Sequence, residues 1–213
     1  MQTEAELSVV GRRTQQQRRD ATRKRLLDAT IESLIECGYS ATTTLEIERR
    51  AGASRGARIH HFPTKASLLA AAVDHLYDQV SNSYEQAFGI AAPGISDAQR
   101  VSGGLRRLWE IFRGREYSAV IELTVAARTD EELRLCLQKV GLRHRELALQ
   151  MAARHFGFSP ELAFPLIEAT HAAMIGFLLR RNVQGDDGVA ELALGMLEGL
   201  IVSHLPNPSS EPA

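Results

Sequence analysis

Residues 42–65 read Thr-Thr-Thr-Leu-Glu-Ile-Glu-Arg-Arg-Ala-Gly-Ala-Ser-Arg-Gly-Ala-Arg-Ile-His-His-Phe-Pro-Thr-Lys. Thr43 or Thr44 can cap a short helix, its hydroxyl oxygen taking a free first-turn N–H, and Gly52 ends that helix after Ala51. Ser54 caps a second short helix to about His61, and Pro63, which has no N–H to continue the ladder, closes it. Two short helices joined by a tight Ala-Gly-Ala-Ser turn are the physical content of a helix-turn-helix, with Ile47, Ala51 and Ala53 as the apolar seam. The second helix then presents Arg55, Ala57, Arg58, His60 and His61, a short, polar and basic surface suited to a DNA major groove.

Charge agrees with this placement. The 213-residue chain has a net charge of only −1, but residues 11–65 hold twelve Arg or Lys against six Asp or Glu, leaving thirteen basic and twenty acidic residues elsewhere. A basic head on an acidic body is what a DNA-contacting segment produces, although a solvated face would carry the same surplus. Residues 1–15 read as a flexible basic arm. With the Arg18-Arg19 and Arg23-Lys24-Arg25 clusters it either follows the phosphates and minor groove or is a solvated, solubilising segment.

Apolar residues at 44% and charged residues at 24% fit a globular domain, and helical periodicity runs through nearly every window. The pattern predicts an all-α chain of about nine helices. The first carries Leu26, Leu27, Leu34 and Ile35 and ends at Gly38; the fourth runs from Lys65 to about Phe88. After a turn-rich linker at 89–96 come helices from Asp97 to Phe112 and from Tyr117 to Arg128. A capping box at Thr129-Asp-Glu-Glu132 opens the seventh, to Phe156. Ser159-Pro160-Glu161 opens the eighth, to about Val183, and the ninth ends near His204. The domains are then 16–65 for the helix-turn-helix head and 66–205 for a larger helical body, with 206–213 a disordered tail.

Taken in order, Leu27-Asp-Ala-Thr-Ile-Glu-Ser-Leu-Ile-Glu-Cys-Gly-Tyr39, Thr42-Thr-Thr-Leu-Glu-Ile47, Ala51-Gly-Ala-Ser54, Gly56, His61-Phe62 and Lys65-Ala-Ser-Leu-Leu69 resemble the N-terminal domain of the TetR family. The resemblance covers about fifty residues; beyond residue 88 it rests on helix number and lengths. It implies a cytoplasmic homodimeric transcriptional regulator binding double-stranded operator DNA, a repressor rather than an activator, released by a small-molecule effector. It also implies that Thr43 and Thr44 touch phosphates, that Arg55, Ala57 and His60 face bases, and that His61 and Lys65 hold the backbone; Arg58 completes the expected DNA-facing set. Two positions depart from the family pattern. Glu48 replaces a small residue, and Arg58-Ile59 replaces an apolar residue followed by Tyr. Glu48 and Arg58 lie on facing helices, either as a compensating pair or as two solvent-facing charges.

In the body, bulky residues at helical spacing are mostly core, yet the resemblance implies a mostly apolar cavity among them. The candidate lining is Trp109, Phe112, Leu123, Met151 and Met174, with His144 and His171 as polar anchors, placed between the fifth and eighth helices. Small residues Ala173 and Gly176 on the eighth helix, and Gly195 and Gly199 on the ninth, mark close backbone approach in a dimer interface filled by Leu192, Met196 and Leu200. No P-loop, Gly-x-Ser-x-Gly elbow or His-Glu-x-x-His is present, so no catalytic site, cofactor or metal is expected of an all-helical enzyme, and the basic recognition segment argues against a helical adaptor without DNA binding. Cys37 and Cys136 stand apart inside helical patterns as small apolar residues, and no run suggests a membrane span.

Overall fold

The structure, a computed structural model, describes residues 14–89, 94–185 and 188–205. The expected arm up to residue 13, the centre of the 89–96 linker and the 206–213 tail lie outside the described residues. Among these there are nine helices and no strand: α1 (Gln15–Ala41), α2 (Thr44–Ala51), α3 (Arg55–His61), α4 (Lys65–Gly89), α5 (Asp97–Phe112), α6 (Arg115–Ala126), α7 (Glu131–Phe156), α8 (Pro160–Gln184) and α9 (Gly188–Val202).

Local chemistry sets the helix ends. Thr43, not Thr44, is the N-cap of α2, its hydroxyl accepting from Glu46 N–H, and Ser54 accepts from Ala57 N–H at α3. Thr64 and Ser67 exchange backbone-to-hydroxyl bonds of 3.1 and 3.2 Å, which satisfies two otherwise free N–H groups at the start of α4. Gly38 breaks α1 with φ 71°, but the chain turns helically again to Ala41, so α1 runs three residues past the expected end. The box expected at Thr129–Glu132 does not form. The chain leaves α6 through tight turns to Thr129, whose hydroxyl donates back to Ala126 O, and Asp130 caps α7 by accepting from Leu133 N–H at 2.9 Å.

One apolar core runs through head and body. Leu26, Leu27, Leu34, Ile47 and Phe62 fill the head, Leu68 and Leu69 of α4 join it to the body, and Phe112, Leu123, Leu133, Met174 and Leu178 continue it there. Helix α4 packs on both α1 and α7, and α6 also packs along α1, so two helices join head to body.

By length and composition α8 is apolar enough to cross a bilayer, where the sequence reading found no such run. Thr170, Met174 and Leu178 face inward on it, while Ala172, Gly176, Leu179 and Val183 form an exposed stripe on the other side. Apolar residues thus lie on both its inward and its outward sides, and such composition resembles a membrane span.

Candidate nucleic-acid interface and interior cavity

The left-handed Gly52 (φ 57°, ψ 38°) reverses the chain between α2 and α3, and Ile47, Ala51 and Phe62 bury the inner side of the turn. Outward, α3 exposes Arg55, Gly56 and His60 with Ala57 half-buried, and Thr43 and Thr44 stand at the start of α2 beside Leu45, which is 74% exposed. The sequence reading passed over Leu45; an apolar side chain at that edge suits a thymine methyl or a sugar. Arg55 has no hydrogen bond or ion pair among the described residues, which leaves its guanidinium free for a base edge or phosphate. Arg49 and Arg50 differ, since both hydrogen-bond Glu46 and so hold its carboxyl down at about 2, and Arg50 also reaches Glu36. The basic residues of α2 are therefore already neutralised.

Arg58 does not belong to the DNA-facing set. It is 7% exposed, its Nε donates to Glu48 Oε1 at 3.0 Å, and its Nη1 donates to the carbonyls of Phe62 and Pro63 at 3.2 Å. The arginine is an internal clasp: it neutralises Glu48 and caps the free carbonyls at the end of α3. The two departures from the family pattern are thus one feature.

His61 is half-buried at the end of α3. Burial, then His60, Arg19 and Arg23, hold its pKa below the usual histidine value. Those neighbours also place Arg19 and Arg23 of α1 on the same side of the head. Lys65 lies with Nζ 4.4 Å from the centre of the Tyr39 ring, and burial lowers its pKa. The Tyr39 hydroxyl donates to Asp130 Oδ2 at 2.6 Å, a bond that with burial pushes its pKa up to about 12. Tyr39 N–H also donates to Glu122 of α6 at 3.1 Å, and Arg115 of α6 reaches Glu32 of α1. Lys65 and Tyr39 therefore sit at the joint between head and body. The sequence reading gave Tyr39 no role, because its partners lie 83 and 91 residues away.

The body encloses a cavity of about 410 Å³ bounded by α4 to α8, with Ile201 of α9 at one side. Of the candidate lining residues, Phe112, His144, Met151 and His171 border it. Trp109, Leu123 and Met174 do not. Leu123 and Met174 are wholly buried core, and Trp109 packs edge-on against Phe177 with ring centres 6.0 Å apart. Periodicity places a residue on the inner side of its helix but cannot tell a neighbour from a void. Tyr117, passed over as a lining residue, stacks on Phe112 and hydrogen-bonds His171 Nε2 at 2.8 Å. Burial lowers the His171 pKa.

The small residues singled out on α8 and α9 face outward. Gly176, Gly195 and Gly199 have open space where a side chain would start, and Ala173 is half-buried. Around them Val183, Leu192 and Met196 are 85%, 77% and 79% exposed, with Leu200 beside them at 46%. The apolar exposure is thus concentrated on two packed helices.

Residues 26–72 match the family model described as bacterial regulatory proteins, tetR family. An uncharacterised HTH-type transcriptional regulator of Mycobacterium tuberculosis is 36% identical, over 91% of this chain and 99% of its own length. Among solved structures, a putative TetR-family transcriptional regulator from Rhodococcus sp. superposes with a TM-score of 0.68 at 20% identity, covering 88% of this chain and all of that one. The multidrug binding protein EbrR, solved with imidazole, superposes at 0.63 and 20% identity, covering 88% and 97%. A relative 36% identical over 91% of this chain and 99% of its own length, together with a matching head and a shared fold, shows that this chain belongs to the tetR family of bacterial transcriptional regulators.

Proposed function

We propose that the chain is a homodimeric repressor that holds a palindromic operator with its paired α3 helices and releases it when a small, mostly apolar molecule fills the cavity. The observation carrying this reading is that α6 belongs to both ends of the mechanism. Tyr117 lines the cavity, while Glu122 and Arg115 of the same helix bond Tyr39 and Glu32 of the head. A guest displacing Tyr117 shifts α6 against α1, and α4, which also spans head and body and begins just after α3, carries the change to the end of α3. The guest then lowers DNA affinity by its differential affinity for the two head spacings, typically 5- to 150-fold in such linkages. Dimerisation is supported by the exposed stripes of α8 and α9, which a second copy covers. The cavity falls within the range of about 300–1,000 Å³ usual for small-molecule sites, and a structural neighbour is described as a multidrug binding protein.

Selection of bound fragments from a random DNA pool tests the reading. The expected product is an inverted repeat with half-sites about one helical turn, 34–36 Å, apart or a multiple of it. Enrichment of an unrepeated site, or of none, refutes the paired-helix arrangement.

A further inference from the structure

Among the described residues 14–65, the exposed large apolar side chains are Leu45, at 74%, and Ile59, at 43%. They stand on α2 and α3, and α1 contributes none. Leu45 lies in the first turn of α2 beside Thr43 and Thr44; Ile47, two residues on, turns inward, so Leu45 is on the side of the helix away from the seam. Ile59 follows Arg55 by four residues and shares its outward face of α3, which Gly56 and His60 complete. One exposed leucine on a protein surface is ordinary. Here the exposure is confined to the two helices of the helix-turn-helix.

The same surface is poor in hydrogen-bonding side chains. Arg58 is drawn inward to Glu48, and Arg49 and Arg50 are bonded to Glu46. Gly56 and Ala57 have no polar side-chain atom, which leaves Arg55, His60 and the hydroxyls of Thr43 and Thr44. Base pairs in the major groove differ in their donors and acceptors and in one apolar group, the C5 methyl of thymine. An aliphatic side chain pressed on a phosphate, an amine or a carbonyl strips it of water and returns no hydrogen bond. Pressed on a thymine methyl, it removes two apolar surfaces from water together. Ile59 also stands where the family pattern has Tyr, so a side chain able to hydrogen-bond is exchanged for one able only to pack.

We propose that Leu45 and Ile59 read the C5 methyl groups of two different thymines in each operator half-site. The proposal rests on α2 and α3 meeting DNA through the major groove, and it adds to that reading which base is chosen and by what contact. Arg55 supplies the hydrogen-bonded part of recognition, and the two aliphatic side chains supply the part that depends on shape.

Deoxyuridine is thymidine without the C5 methyl and keeps every base-pairing bond, so it isolates this contact. Duplexes of the selected site carry deoxyuridine at one symmetric pair of thymines at a time. Each is titrated with the full chain, with Leu45→Ala and with Ile59→Ala, at fixed salt, by fluorescence anisotropy. Two positions should respond in the parent chain, each by about fourfold per methyl, or about fifteenfold for the symmetric pair. Leu45→Ala should ignore deoxyuridine at one of these positions and keep its response at the other, and Ile59→Ala should do the reverse. Thermal melting of both variants verifies folding. A specifically bound site that no deoxyuridine weakens overturns the proposal and leaves DNA recognition by the head standing, and so does a response unchanged in both variants. An equal loss at every thymine reports duplex deformability instead of contact and overturns it as well. Failure to select any specific site refutes the reading of the head, and the proposal with it.

Discussion

Removing one partner of the Glu48–Arg58 clasp tests whether it holds the head together. Their side chains are 11% and 8% exposed, and the Arg58 guanidinium spends its donors on Glu48 and on two backbone carbonyls at the end of α3. Glu48→Ala strands a buried cation. Breaking a buried pair from one side costs about 3–5 kcal/mol, and the two remaining carbonyl acceptors place this variant near the lower end. For a chain of this size about 3 kcal/mol lowers Tm by roughly 6–12 °C. Arg58→Leu strands the Glu48 carboxylate and uncaps both carbonyls, so it should cost at least as much. In the double variant no charge is stranded; leucine restores apolar packing and only the uncapped carbonyls remain. A double-mutant cycle should therefore give a coupling of about 2–3 kcal/mol, against about 0.2–1 kcal/mol for an exposed pair. Urea unfolding of the full chain, followed by circular dichroism at low and high salt, measures it. A screened surface pair would lose its coupling at high salt, whereas a buried clasp keeps it. A coupling below about 0.5 kcal/mol, or one abolished by salt, would refute this account.

Arg55→Ala should relax base preference at one operator position and cost about 1–3 kcal/mol, while Lys65→Ala should weaken all sequences alike and flatten the salt dependence; band shifts on matched and mismatched sites separate the two, and unchanged binding in both removes these roles. Gly195→Leu and Gly176→Leu place bulk on the outer stripes of α8 and α9 and should yield monomers or aggregates in analytical ultracentrifugation; intact dimers with full DNA affinity would place the interface elsewhere. Tyr39→Phe addresses the joint between head and body. The folded-state pKa of Tyr39, about 12, lies above its ordinary value of 10.0, so its bond to Asp130 contributes fully below pH 10 and is lost as pH rises through 12. The Tm difference between the parent chain and Tyr39→Phe should shrink across that window, and a constant difference would show that the hydroxyl does not stabilise the joint.

The head was legible in the sequence because what defines it is local. Thr43, Gly52, Ser54 and Pro63 act on residues three or four positions away, and these contacts form in the structure as hydrogen bonds or a left-handed turn. The nine-helix count and most helix ends follow from the same short-range chemistry. Two helix ends were misplaced, Gly38 for the end of α1 and Thr129 for the Asp130 cap of α7; the latter turned on how the preceding helix unwinds, which one residue type does not reveal. What tertiary structure alone decided was the environment on the inner sides of the helices. Leu123 and Met174 carry the same periodic signal as Met151, yet the first two touch neighbours on all sides and the third borders a void. Arg58 sits on a polar helix among candidate DNA contacts, and only the approach of Glu48 and the end of α3 turns it inward. Tyr39, Glu122 and Asp130 became a joint because folding brought together groups more than eighty residues apart. Caps and turns depend on a few neighbouring dihedrals and are written in the chain. Cavities, clasps and joints depend on which surfaces meet and on what is left uncovered between them.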